Sequence, residues 1–188
     1  DASSSLIDIA RQRAPRASFF EGGMEALPFV GATFDAVTLL NSLHYAADPH
    51  LALTEARRVL RPGGRVAIAA WARPQDCAVS AFFEALDELL PVESPNTPAA
   101  FAYSNEGALN RLVSRAGFSK LIEARALAIW SYRDEASALR GLLSCSAAIQ
   151  AADCAGEERV LEAARTFITP YRLPQGGYRM ENAFHYLI

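Results

Sequence analysis

Apolar residues recur along the chain with two periods, and the changes from one to the other mark out its elements. Leu6, Ile7, Ile9 and Ala10 have helical spacing, which predicts a helix from residue 1 to about 14, ended by Pro15. The opening Asp1-Ala2-Ser3-Ser4 reads as the end of a strand turning into a helix N-cap. "ASFFEGG" (17–23) reads as a brief strand running into a glycine turn, and "MEALPFVGAT" as a loop. "FDAVTLL" (34–40) is apolar nearly throughout, as expected of a strand covered on both faces.

Asp48-Pro49 then opens a helix, with proline at the first helical position. Its apolar set is Leu51, Leu53, Ala56, Val59 and Leu60, and Pro62-Gly63-Gly64 is read as its stop. "RVAIAAW" (65–71) is a second buried strand. Strand, helix, glycine turn and strand make a parallel crossover, hence an α/β sheet with helices on its faces. Further helices are expected over about 78–90, 105–118, 134–152 and 156–168. The Pro-rich loop "PVESPNTPAA", the strand "SKLIEARALAIW" and the aromatic terminal strand "YRMENAFHYLI" complete the chain. No internal repeat or linker divides it, so residues 1–188 read as a single domain.

Composition narrows the function classes. With 51% hydrophobic and 21% charged residues the chain is of globular type. A net charge of −3 gives no electrostatic case for nucleic acid or for an acidic membrane surface. No apolar run reaches the ~18 residues that a membrane span needs. Cys77, Cys145 and Cys154 lack metal-ligand spacing, so no metal site is expected, and their odd number suits free thiols in a reducing cytoplasm. Arg57-Arg58 and Arg61 read as solvated charges on or at the end of a helix.

Read together, "FFEGGMEALPF", "FDAVTLLNSLHYAADP", "ALTEARRVLRPGGRVAIAAW" and "RAGF" resemble the class I S-adenosylmethionine-dependent methyltransferases. The likeness is to the small-molecule group that includes ubiquinone- and menaquinone-type C-methyltransferases, and it runs from Asp1 to about Phe118. It implies a doubly wound, Rossmann-like sheet, mostly parallel with an antiparallel C-terminal strand, whose ligand lies across the carboxyl ends of the strands. It also implies S-adenosylmethionine as cofactor and a small-molecule acceptor as partner.

By the same resemblance Asp1, followed by Ala2, holds the ribose hydroxyls. The adenine positions fall on Gly23 and Met24. Glycine departs from the family's acid at that position, which leaves Glu25 or Glu21 as substitutes, or a less specific hold on the ring. Asn41 and Ser42 offer hydrogen bonds to the methionine part and Leu43 apolar contact. His44 and Tyr45 face the acceptor as catalytic candidates, although a histidine near a strand end is more often a structural residue than a base. Methyl transfer is an in-line displacement that depends mainly on positioning, so the absence of an obvious catalytic triad does not count against it. The aromatics of the carboxyl-terminal half suit either an acceptor pocket or a core.

The family's glycine-rich loop is not found: no G-x-G occurs in the chain. The resemblance puts that loop ~20 residues before the ribose acid, so a first strand–helix–strand unit of about 30 residues is expected to be missing. Its loss would leave "FDAVTLL" as a bare edge through which two copies could pair. The alternative to an incomplete enzyme is therefore a non-catalytic, methyltransferase-like remnant that associates through that edge. A nicotinamide-dependent enzyme on the same architecture is disfavoured by the RPGG segment and by the lack of a Tyr-x-x-x-Lys motif.

Overall fold

A computed structural model describes residues 1–91 and 100–188, so most of the expected Pro-rich loop lies outside the described residues. The chain divides into two compact units. The first comprises Asp1–Ala70, Ala102–Ala124 and His185–Ile188, and the second Trp71–Phe101 and Arg125–Phe184. Helices α1 (Ser4–Arg13), α2 (Pro49–Val59), α3 (Ser80–Asp87), α4 (Ala108–Arg115), α5 (Glu135–Leu143), α6 (Ser146–Ala155) and α7 (Glu157–Ile168) accompany four strands. These are β1 (Phe34–Leu40), β2 (Leu60–Trp71), β3 (Glu123–Tyr132) and β4 (Tyr178–Leu187), in the sheet order β1-β2-β4-β3. β1 and β2 pair in parallel. Ile188 and Ile122 exchange N–H and C=O bonds at the ends of β4 and β3, the antiparallel pattern.

In the first unit the caps follow the sequence. Ser3 accepts the Leu6 amide and starts α1, and Asp48 accepts the His50 and Leu51 amides and starts α2. α2 buries Ala52, Leu53, Ala56 and Val59, and Ala52 and Leu53 share a core with Leu39, Val66 and Ile68 of the sheet and Leu109 and Val113 of α4. Leu51, expected in that core, is exposed, being on the helix's outer side.

Three sequence expectations are corrected here. Residues 17–23 are irregular chain with bends at 17 and 22 rather than a strand. Asp1 donates to the Phe20 carbonyl at 3.1 Å and the Gly22 amide returns a bond to Asp1 at 3.0 Å. This is one rung of a parallel pair centred on Glu21, and a strand needs successive rungs. β1 is not covered on both faces: it stands at the end of the sheet, where only Leu39 is buried and Leu40 is 64% exposed. Pro62-Gly63-Gly64 does not cap α2, which ends at Val59; it lies within β2 as a bulge. Phe34 pairs with Leu60 but Ala36 pairs with Arg65, so the extra residues of β2 loop out between these pairs. Gly63 has φ +79°, and a Cβ on Gly64 would stand 2.9 Å from the Arg61 carbonyl and 3.1 Å from that of Asp35.

The second unit is built on α3, α5, α6 and α7, with Phe82, Leu86, Ala138, Ala151, Val160 and Ala164 at its centre. The expected 134–152 helix is two helices, because Cys145 is extended (φ −84°, ψ 153°) and separates α5 from α6. Trp71 stacks on Phe184 at 4.4 Å and meets Phe83, Phe101 and Trp130 near 6 Å. These aromatics therefore serve as core. All three cysteines are free, and no described helix is long and apolar enough to cross a membrane.

Candidate active site

The site residues expected from the sequence all fall in the first unit, and a run of hydrogen bonds joins their segments. β1 ends at Leu40, and Asn41 turns the chain with φ +51°, a left-handed conformation that asparagine tolerates better than most residues. Its amide still donates to the Ala69 carbonyl at 2.8 Å, which fixes the turn to β2. Its side-chain Oδ1 is buried and accepts no hydrogen bond from the protein. An orphaned acceptor of this kind is a place for a donor from outside the chain.

Ser42 then leads into a 3₁₀ turn, Leu43–Tyr45, closed by bonds from Tyr45 to the Ser42 carbonyl and from Ala46 to that of Leu43. Leu43 is buried and holds the turn to the core. His44 and Tyr45 are left on its outer side with ring centroids 4.1 Å apart. Burial pushes the His44 imidazole below its ordinary pKa, which favours the neutral ring.

The second arm begins at Asp1. Its carboxylate accepts the Ser3 amide at 2.9 Å, which fixes the acid at the entrance of α1, with Ala2 exposed between them. The rung to residues 20–22 brings Asp1 beside the turn that carries Gly23, Met24 and Glu25. An open cleft of about 410 Å³, within the range of small-molecule sites, is lined by Asp1, Ile7, Phe20, Gly22, Gly23 and Phe29 among others. Met24 packs at the edge of the core.

Glu25 joins the two arms. Its Oε1 accepts the Ala47 amide at 2.7 Å, while its Oε2 lies 3.1 Å from where a Cβ on Gly23 would be. Glu25 thus leans over the residue that lacks a side chain, and one of its oxygens is already committed to the loop before α2.

Glu55 has no counterpart among the sequence expectations, and Arg58 departs from the solvated charge expected there. Arg58 is not a freely solvated charge: it forks onto Glu55 with bonds of 2.6 and 2.7 Å and donates to the carbonyls of Phe29 and Leu27. Glu55 in turn accepts the Leu27 amide at 2.9 Å. The Glu–Arg pair at i,i+3 on a helix was visible in the sequence, but its grip on a loop 28–31 residues away carries no local signal.

A methyltransferase domain family matches residues 1–68, the stretch that holds every residue of this rim. Demethylmenaquinone methyltransferase of Renibacterium salmoninarum is 33% identical over 110 residues, covering 56% of this chain and 46% of its own. The enzyme of the same name from Mycobacterium sp. (strain KMS) is 30% identical over 155 residues, covering 80% of this chain and 64% of its own. The chain is thus similar to class I methyltransferases, most clearly over residues 1–68.

The chain spans about half the length of the first curated relatives it matches. Among solved structures, a proposed type II methyltransferase from Anaeromyxobacter dehalogenans superposes with a TM-score of 0.62 at 18% identity, over 100% of this chain and 77% of that one. The [4+2]-cyclase SpnF superposes at 0.54 with 19% identity, over 97% of this chain and 64% of its own. At such identities the structural likeness speaks for the methyltransferase fold alone; the second neighbour carries a different chemistry by name.

Proposed function

We propose that this protein transfers a methyl group from S-adenosylmethionine to a small-molecule acceptor. The observation that carries the reading is the orphaned Asn41 Oδ1 at the carboxyl end of β1, on the same hydrogen-bonded rim as Asp1 and Glu25. The donor set fits the cofactor: a carboxylate at Asp1 for ribose hydroxyls, an unsatisfied amide oxygen at Asn41 for an ammonium group, and apolar Met24 and Leu43 beside them. Ala2 and Ser42 complete the rim. Gly23 offers no side-chain acceptor, so the adenine contact rests on backbone and on Glu25. Loss of one such hydrogen bond costs on the order of 1 kcal/mol, which a site of several contacts tolerates.

The cofactor supplies an electrophilic methyl group on a sulfonium; the protein's part is to orient the acceptor and take its proton. His44, kept neutral by burial, can accept that proton at neutral pH, with Tyr45 against it. The names of the relatives support an acceptor of the demethylated quinone type, planar and apolar. The three free thiols support a cytoplasmic enzyme.

Equilibrium titration of S-adenosylmethionine into the protein tests this reading. Saturable binding is expected, followed by transfer of labelled methyl to a demethylated quinol. No binding at millimolar ligand overturns it.

A further inference from the structure

We infer that Glu55 and Arg58 are positioning residues for the cofactor site, clamping the loop that presents Gly23, Met24 and Glu25. The inference rests on the proposed function for what the loop holds, and on geometry for the clamp.

Residues 26–33 have no regular secondary structure, so contacts outside the segment must set their path. Their backbone is met almost entirely from one helix. At the amino end of α2, Glu25 takes the Ala47 amide. Further along, Glu55 takes the Leu27 amide at 2.9 Å, and Arg58 gives its Nη2 and Nη1 to the Leu27 and Phe29 carbonyls at 3.0 and 2.7 Å. At the carboxyl end, Ala32 and Thr33 donate to the Arg58 and Val59 carbonyls. α2 therefore acts as a rail that fixes the loop at both ends and in the middle.

The middle contact has the chemistry of a clamp. A guanidinium forked onto a carboxylate has both groups oriented before either meets the loop. Glu55 is only 16% exposed and Arg58 39%, so water competes weakly for the carboxylate. The hydrogen bond from Arg58 also holds the Glu55 carboxyl below its ordinary pKa, so the pair stays charged well into mild acid. Two residues before Leu27 lies Glu25, whose Oε2 overhangs Gly23, so a loop released at Leu27 and Phe29 shifts the turn directly.

The test uses S-adenosylhomocysteine as probe in calorimetric titrations of wild type, Glu55→Ala, Arg58→Ala and the milder Glu55→Gln and Arg58→Lys. Hydrogen exchange of the Leu27 and Phe29 amides is followed in parallel, with thermal melts to confirm folding. The alanine variants are expected to bind about tenfold more weakly, the scale of one hydrogen bond to a charged group. Their Leu27 amide should lose protection. Glu55→Gln keeps an acceptor for that amide and should recover part of the affinity. In turnover, KM for the cofactor should rise while kcat stays near wild type. Arg61→Ala, which breaks only an exposed pair with Asp35, serves as the control. Folded variants that bind within twofold of wild type, whatever their melting temperature, overturn the positioning role. A wild-type protein that binds no probe overturns the functional reading on which it rests.

Discussion

The Glu25 carboxylate and the Ala47 amide, 22 positions apart, meet at 2.7 Å. That bond joins the turn after residues 17–22 to the loop that follows β1, and so links the two arms of the site. A hydrogen bond to a charged group contributes about 1.5–3 kcal/mol, less where water reaches it. Glu25→Ala is expected to lower stability by about 1 kcal/mol in urea unfolding and to weaken S-adenosylhomocysteine binding. Glu25→Gln, which keeps an acceptor, should bind more tightly than the alanine variant. Equal affinity of the two variants would show that the link is dispensable.

His44 gives a second expectation. Burial lowers its pKa, so the ring is neutral at pH 7 and gains its proton only below 6.5. His44→Gln should reduce kcat by about a hundredfold or more if the ring takes the acceptor's proton, with the acidic limb of the pH–rate profile removed. The sign for stability follows the same shift. The group contributes fully above its unfolded value, and that contribution falls as the pH drops through the folded one. An unchanged kcat would return His44 to a packing role.

At the β2 bulge, Gly63 and Gly64 should respond differently. A side chain at Gly63 meets open space but needs φ +79°, a cost of about 1–2 kcal/mol. At Gly64 it meets backbone on two sides, and overpacking of that kind costs about 1–3 kcal/mol and displaces β1. Gly64→Ala should therefore broaden the amide spectrum of residues 34–40 while Gly63→Ala should not.

Glu123 predicts how acid acts on the first unit. It accepts hydrogen bonds from Lys120, Asn110 and His185, which hold its carboxyl down to about 2 from 4.5. Its contribution is whole above pH 4.5 and is lost as pH falls toward about 2. The difference in melting temperature between wild type and Glu123→Gln should shrink across that window, and a constant difference would remove Glu123 from the account.

Patterns local in the chain were legible in the sequence. The apolar runs 34–40 and 65–71 became paired strands, and Ser3, Asp48 and Pro49 started helices where their chemistry requires. The Ser144–Cys145 break was not legible, because no proline or glycine marks it; Ser144 bonds back to the Gly141 carbonyl instead. The reach of Arg58 to Phe29 was hidden for another reason. It depends on where a distant loop lies, which no spacing within α2 encodes. Glycines after a helix suggested a cap, yet tertiary pairing with β1 drew them into the strand.

That pairing also sets which way the sheet faces. Val37 lies opposite Val66 and Leu39 opposite Ile68, the inward pairs of the β1–β2 ladder. Side chains of a strand alternate, so parity decides which of them the core receives. Four residues of β2, Arg61–Gly64, stand against Asp35 alone between the Phe34–Leu60 and Ala36–Arg65 pairs, and beyond them Val66 and Ile68 lie inward beside Val37 and Leu39. The Pro-Gly-Gly segment thus resets the register of β2 against β1 by three residues, and the Asn41 turn, bonded to Ala69, takes its place from that register.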